Sequence, residues 1–334
     1  MFFSSEFYII RRIARGTRIF DDKVVRGIGD DCAVIDRGKY YEIISTDAVV
    51  EGDHFSLEWS TSQQVGRKSF ESNVSDIAAM GGVPKYVFVS LVLRRDTPST
   101  FVDGFYKGFQ SGCEKYRISL LGGNIAHGRE ISATVTIIGE VSKKLLCLRS
   151  GAKIGDFICA TGPLGASMAG LLALRKFGSV SGALKAGIPR YVLAKHLEPR
   201  SRMDIVSFIA QYATSMIDVS DGLASEVRHI CEASGVGAEV YAEKIPIHSA
   251  TKKSARILKK NPLDFALSGG EDFELIFTVH PKNFAILRKK FSFLRKNLFY
   301  FGVIHSPKKG IFFLLKEKKV VFPEGFDHFS TLLV

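Results

Sequence analysis

Apolar positions recur at two periods along the chain. Phe7, Ile10 and Ile13 follow helical spacing and predict a short N-terminal helix before a turn-rich stretch centred on Gly27-Ile28-Gly29. Glu42-Ile43-Ile44, Tyr86 to Leu93 and the alternating Thr134 to Ile138 predict strands, while Gln64 to Met80 and Val102 to Tyr116 predict helices. A second set of elements starts at the polar turn Gly151-Ala152-Lys153-Ile154-Gly155-Asp156. It continues as the strand Phe157 to Ala160, helices at Ala166 to Lys176 and Leu223 to Ala233, the strand Leu275 to Val279, and short segments ending at Phe329. The expectation is a mixed α/β (α+β) protein in two units, residues 1–148 and 149–334.

A hydrophobic content of 46% over 334 residues is enough for real cores and argues against disorder. The formal net charge of +12 raises the question of nucleic acid or of anionic small ligands. Its lysines and arginines fall in clusters such as Lys252-Lys253, Lys259-Lys260, Arg288-Lys289-Lys290 and Lys316 with Lys318-Lys319, separated by core positions, as on solvated helix faces and turns. With no zinc-finger spacing, helix-turn-helix signal or aromatic-basic motif beside them, nucleic acid is disfavoured. The five cysteines are scattered and never form a CxxC pair, which argues against disulfides and zinc and fits a reducing cytosol. Charges from Glu6 to Arg12 interrupt any leader-like start, and no later apolar run approaches about 18 residues. A cytoplasmic, non-membrane protein is expected.

The chemistry lies in the aspartates. Asp30-Asp31 follow Gly27-Ile28-Gly29, Ser45-Thr46-Asp47 follow an apolar run, Asp76 sits within a helix, and Asp218 precedes Asp221. Any one of these alone is explained by a turn or a helix cap. Their recurrence beside glycines and at strand ends suits a hard cation such as Mg²⁺, held by a few carboxylates together with substrate phosphates. In the helix ending at Gly81-Gly82, Phe70, Val74, Ile77 and Ala78 make an apolar face. Asn73 and Asp76 share another face, either aimed jointly at a metal and phosphate site or forming a polar edge beside solvent.

Gly122-Gly123-Asn124 and Thr161-Gly162-Pro163-Leu164-Gly165 are candidate phosphate cradles, although neither is a Walker A or GxGxxG loop, and the second reads first as a plain strand-to-helix turn. In Met216 to Leu223, Asp218 and Ser220 share one side if extended, with Asp221 at the turn into the next helix. Glu271, Asp272 and Glu274 follow two glycines and precede a strand, so that one or two of them can face a site. No GxSxG elbow, Cys/His pair, HRD or DFG set supports a protein nucleophile or protein-kinase chemistry. His54, His127 and His328 read, residue by residue, as ordinary polar positions.

Taken together and in order, these motifs resemble the thiamine-monophosphate kinases of the aminoimidazole-ribonucleotide-synthetase-like superfamily. The resemblance rests on Gly27-Ile28-Gly29-Asp30-Asp31-Cys32-Ala33, Ser45-Thr46-Asp47 with Gly52-Asp53-His54-Phe55, Asn73-Val74-Ser75-Asp76, Ile217-Asp218-Val219-Ser220-Asp221-Gly222-Leu223, Leu267-Ser268-Gly269-Gly270-Glu271-Asp272 and Gly325-Phe326-Asp327-His328-Phe329. It implies a two-domain fold, with an N-terminal domain for ATP, metal and dimerisation and a C-terminal domain completing the active site. It also implies ATP-dependent phosphorylation of thiamine monophosphate to thiamine diphosphate, the last step of thiamine diphosphate biosynthesis, by direct in-line transfer with several Mg²⁺ ions in a homodimer. By position, Asp31, Ser45, Thr46, Asp47, Asp76, Asp218 and Asp221 are implied as metal ligands. Gly123, Arg149 and Ser220 are implied as nucleotide contacts, with Tyr106 near the adenine, and His54, Glu271 and Phe326 as the border of the thiamine monophosphate site.

One position departs from the family pattern. Asn124 stands where the family usually has a metal-binding aspartate, and its carbonyl oxygen keeps it among the metal and nucleotide candidates without the charge. Sister reactions giving selenophosphate or aminoimidazole ribonucleotide are alternatives, as is a non-catalytic nucleotide- or nucleic-acid-binding protein. Cys32 lies in the wrong motif for the first, and the chain end Ser330 to Val334 lacks the cysteine tail of the hydrogenase-maturation relatives.

Overall fold

The computed structural model describes residues 5–321 together with Gly325. Strands β1 (Val24–Arg26), β2 (Ala33–Asp36), β3 (Tyr41–Val50), β4 (Val83–Leu93), β5 (Ser119–His127) and β6 (Ser132–Val141) form one sheet in the order β1-β2-β3-β6-β4-β5. Strands β7 (Phe157–Ala160), β8 (Ala213–Asp218), β9 (Gly237–Tyr241), β10 (Leu275–Val279), β11 (Phe299–His305), β12 (Ile311–Leu315) and β13 (Lys318–Val321) form a second, ordered β13-β12-β9-β11-β7-β10-β8. The helices are α1 (Glu6–Gly16), α2 (Ser62–Ala79), α3 (Ser99–Tyr116), α4 (Ala166–Phe177), α5 (Val180–Lys185), α6 (Arg190–Leu197), α7 (Val206–Ile209), α8 (Leu223–Ser234), α9 (Ser249–Leu258), α10 (Pro262–Ser268) and α11 (Pro281–Phe293). The mixed α/β expectation holds, and each helix and strand read from periodicity is present. The C-terminal segments expected as far as Phe329 are described to Val321; Phe326, His328 and Phe329 lie outside the described residues.

Helix α2 organises the molecule. It begins with a reciprocal cap: the Thr61 hydroxyl accepts the Gln64 N–H, and the Gln64 side chain accepts the Thr61 N–H. It stops at Met80, where Gly81 takes a left-handed φ of +75°. Between these ends it is buried almost all round. Phe70, Val74 and Ile77 pack into one core with Val89, Val135 and Ile137 of the first sheet, while Ala78 and Ala79 join Met216, Leu275 and Phe277 of the second. A helix covered on every side must pair its polar side chains internally or pay their desolvation in full. That requirement builds the site.

A further layer, α4 with α6, α9 and Phe265 of α10, shares a separate core. The expected turn Thr161 to Gly165 leads into α4 as a plain connection. Its helix-terminal amides are already taken, because the buried Asp272 carboxylate accepts the Gly165 N–H (2.5 Å) and the Ser167 N–H (3.0 Å). Burial raises the Asp272 pKa to about 6, against the lowering effect of those two N–H donors. Between about pH 4 and pH 6 the folded chain therefore keeps a proton that the unfolded chain releases, and stability falls as pH rises through that window. Asp272→Asn is expected to remove this dependence, so that urea titrations at pH 4 and 6.5 show native protein losing roughly 2–3 kcal/mol relative to the variant. Parallel profiles would reject the assignment.

The lysine clusters on α9, α11 and the β12–β13 turn are largely exposed, as a solvated reading requires. All five cysteines are buried and free. Among the described residues no helix is long and apolar enough to cross a membrane.

Candidate active site

The polar residues of α2 reach into both sheets. Asp76 accepts the Ser45 hydroxyl (2.5 Å) from β3, and the Asn73 amide oxygen accepts the Asp47 N–H (3.2 Å) from the same strand. On the other side, the Ser75 hydroxyl donates to Asp218 Oδ2 (2.6 Å) at the end of β8. Asp31 lies in the turn before β2, where its Oδ1 accepts Arg149 Nε (3.1 Å) and Nη2 (2.6 Å); the neighbouring Asp30 accepts the Arg149 backbone N–H (3.1 Å). Segments far apart in the chain thus present carboxylates to one seam.

The electrostatics identify this seam as unusual. Burial and then repulsion from Asp47, Asp218 and Asp31 push the Asp76 pKa well above the carboxylate range. Burial and then repulsion from Asp31 and Asp47, opposed by the Ser75 hydroxyl, push Asp218 up to about 8. Asp31 is raised by burial against the pull of Arg149, and its Oδ2 is buried without a hydrogen-bond partner. Acids that destabilise one another's charge, with a buried oxygen lacking a hydrogen-bond partner among them, are a donor set suited to a hard divalent cation. Among the described residues no three His, Cys, Asp or Glu side chains close into a cage.

Past β8 the chain turns through Ser220 and Asp221 into α8. The buried Glu226 carboxylate accepts both the Ser220 N–H (3.2 Å) and the Asp221 N–H (2.9 Å), fixing this turn. The Ser220 carbonyl accepts the Glu271 N–H (2.9 Å). The Glu271 carboxylate is in turn held by Lys68 (2.7 Å) and lies 3.4 Å from His196. Burial acts to raise its pKa, yet Lys68 and His196 overcome that and hold it well below the usual carboxylate range. His54 joins the same region, its backbone carbonyl accepting Lys68 Nζ (2.6 Å).

Other candidate residues are placed by the strands and helices that carry them. Thr46 is turned to the opposite face of β3 from Ser45 and Asp47, since side chains alternate along a strand; its hydroxyl donates to the Val135 carbonyl and lies 3.1 Å from Thr136 of β6. Asn73 is neither a phosphate-facing ligand nor a solvent edge but a buried strut for β3. Gly122-Gly123-Asn124, the other candidate phosphate cradle, does not lead into a helix. It lies within β5, the exposed edge strand paired in parallel to β4, with Gly123 opposite Val89 and Asn124 opposite Ser90. Tyr106 lines an open cleft of about 520 Å³ between α2 and α3, with Gln63, Asp103, Lys107 and Gln110, and none of the aspartates above lines that cleft. The three acids after Gly270 all find partners: Glu271 at Lys68, Asp272 at α4, and Glu274 at Thr161 and Lys195. His127, on the exposed end of β5, accepts from Arg95. Phe326 lies outside the described residues.

Reading by motif passed over Lys68, Ser75, His196 and Glu226. The available signal was a lysine and a serine inside a helix otherwise flanked by core residues, and an acid one turn into α8 after the Asp-Gly pair.

Comparison with known proteins agrees with this architecture. The AIR synthase related protein N-terminal domain matches residues 29–141, and the AIR synthase related protein C-terminal domain matches residues 153–294. The thiamine-monophosphate kinase of Bacillus subtilis (strain 168) is 34% identical over 97% of this chain and 99% of its own length. That of Buchnera aphidicola subsp. Schizaphis graminum is 36% identical over 97% and 99%. A solved structure, AaThiL complexed with AMPPCP and TMP, superposes with a TM-score of 0.83 at 32% identity, covering 97% of each chain. With both AIR synthase related domains in order and identity maintained over nearly the full length, this chain belongs to the thiamine-monophosphate kinase family.

Proposed function

We propose that the chain transfers the γ-phosphoryl group of ATP to the phosphate of thiamine monophosphate, giving ADP and thiamine diphosphate, the last step of thiamine diphosphate formation. The observation that carries this reading is the meeting of Asp31, Asp47, Asp76 and Asp218 at α2, in a member of this family. Transfer between two phosphates brings anions together, so it calls for neutralisation and in-line alignment rather than a nucleophilic side chain. Buried cysteines, their thiols kept protonated, do not compete for that role.

Asp31, Asp47, Asp76, Asp218 and Asp221 would hold Mg²⁺, with Ser45 orienting Asp76 and Thr46 at the margin. Bound Mg²⁺ would supply charge neutralisation of the phosphate oxygens. Ser220, Arg149, Gly123, Asn124 and Tyr106 are assigned to the nucleotide, and His54, Glu271 and Phe326 to thiamine monophosphate. Residues 1–148 then serve ATP, metal and dimerisation, and residues 149–334 complete the site, in the cytoplasm. A homodimer is supported by β5, whose edge leaves Leu121 and Ile125 more than half exposed.

Incubating the native chain with ATP, Mg²⁺ and thiamine monophosphate and separating products by chromatography is the direct test. ADP and thiamine diphosphate in equal amounts are expected, and ADP without thiamine diphosphate would reject the acceptor. The Glu226 clamp gives a second expectation. Glu226→Ala releases the Ser220–Asp221 turn and should raise KM for ATP about tenfold, whereas Glu226→Gln, which keeps an acceptor oxygen, should stay near native. Initial-rate kinetics in which alanine and glutamine behave alike would show that the clamp is dispensable.

A further inference from the structure

Lys68 is 3% exposed on a helix buried almost all round, an environment that an unpaired ammonium cannot tolerate. Its Nζ is held by two acceptors from different parts of the chain. One is the carbonyl oxygen of His54 at 2.6 Å, in the loop that follows β3; the other is Oε1 of Glu271 at 2.7 Å, in the loop that leads into β10. Each loop is braced again nearby. The His54 ring accepts the Val50 N–H at Nδ1 (3.3 Å), and Glu271 Oε2 lies 3.4 Å from Nδ1 of the buried His196, itself 3.2 Å from the Ser167 hydroxyl.

Glu271 is held in an expensive conformation. Its φ of +62° is left-handed, a region costly for a residue with a side chain, and it persists only when neighbours over-determine it. Here they do: the main chain donates to the Ser220 carbonyl while the side chain is gripped by Lys68 and His196. The nucleotide-side turn, the Glu271 loop and the His54 loop are therefore joined in sequence, with Lys68 as the link between the last two.

We propose that Lys68 is a positioning residue for the acceptor: it sets the separation of the His54 and Glu271 loops and so shapes the thiamine monophosphate subsite, without touching the phosphoryl group in flight. This rests on the function proposed above. A lysine that only held the fold together would, on removal, impair both substrates alike, whereas a lysine that shapes one subsite impairs one.

The test is steady-state kinetics of Lys68→Met with each substrate varied in turn. KM for thiamine monophosphate should rise about tenfold or more, with KM for ATP within about twofold and kcat within about threefold of native. Native values throughout, or equal losses toward both substrates, would overturn the proposal. Lys68→Met leaves Glu271 buried without its cation; if that variant does not fold, Lys68→Met/Glu271→Gln, which strands no charge, is compared with Glu271→Gln alone. The double variant should bind thiamine monophosphate several-fold more weakly than Glu271→Gln, because the His54 tether is also lost, with ATP unaffected. Equality of the two would overturn the link. Failure of the native chain to make thiamine diphosphate would instead remove the function and this inference together, so the two failures are distinct.

Discussion

Asp218→Asn is expected to lower turnover by about a thousandfold while raising the unfolding temperature of protein stripped of divalent ions. Both effects follow from one carboxylate. Asp218 is buried at the end of β8, accepts the Ser75 hydroxyl, and faces repulsion from Asp31 and Asp47. Asparagine keeps an acceptor for Ser75 and is neutral at every pH, so the folded chain without metal no longer has to take up a proton or bear that repulsion. What is lost is the anion that would hold Mg²⁺ against the substrate phosphates. Thermal unfolding in chelator, then in excess Mg²⁺, separates the two effects: the variant should melt higher in the first buffer and gain less than native protein in the second. A variant that turns over at the native rate would remove Asp218 from the machinery. One that is inactive and also less stable in chelator would make its loss a folding defect.

Much of this arrangement was legible in the chain. The strands β3, β4, β6, β7 and β10 and the helices α2, α3, α4 and α8 carry clear periodicity, and tertiary packing moved only their ends. The aspartates stood out because they sit beside glycines and at strand ends. Less legible was whatever depends on segments distant in the chain closing over α2. Asn73 and Asp76 read as one polar face of α2 with a single apolar face opposite; in the fold that polar face is enclosed as well, and Asn73 and Asp76 take separate partners on β3. Lys68 gave no motif because both its partners lie outside its own helix, and Glu271 is remote in sequence. Thr46 is a different case. Period-two alternation alone separates it from Ser45 and Asp47, but the resemblance grouped all three. At Gly122-Gly123 glycine permits close pairing of β5 with β4, which the sequence alone does not show: a Cβ at Gly123 would stand 1.8 Å from the Val89 carbonyl.

The largest stability loss is expected from Gly108→Ala. Helices α2 and α3 approach so closely that a Cβ on Gly108 would lie 1.9 Å from the Gln63 carbonyl oxygen, and one on Gly66 would lie 2.0 Å from that of Phe105. Both obstacles are backbone atoms within helices, so no rotamer change relieves them and the helices must separate. Overpacking of this kind costs roughly 1–3 kcal/mol, and a clash with backbone belongs at the upper end. The gain in helix propensity from alanine, about 1 kcal/mol, offsets only part of it. Gly16 provides the control, because it ends α1 with nothing within 4 Å of where a methyl group would stand and no left-handed backbone. Gly16→Ala should therefore leave the unfolding midpoint unchanged or slightly raised, while Gly108→Ala lowers it by an amount equivalent to roughly 2 kcal/mol. The activity should follow the helix, since any shift of α2 carries Lys68, Ser75 and Asp76 away from their partners on both sheets at once. Equal midpoints for the two variants in urea would mean that the close approach of α2 and α3 is not what sets the position of these groups.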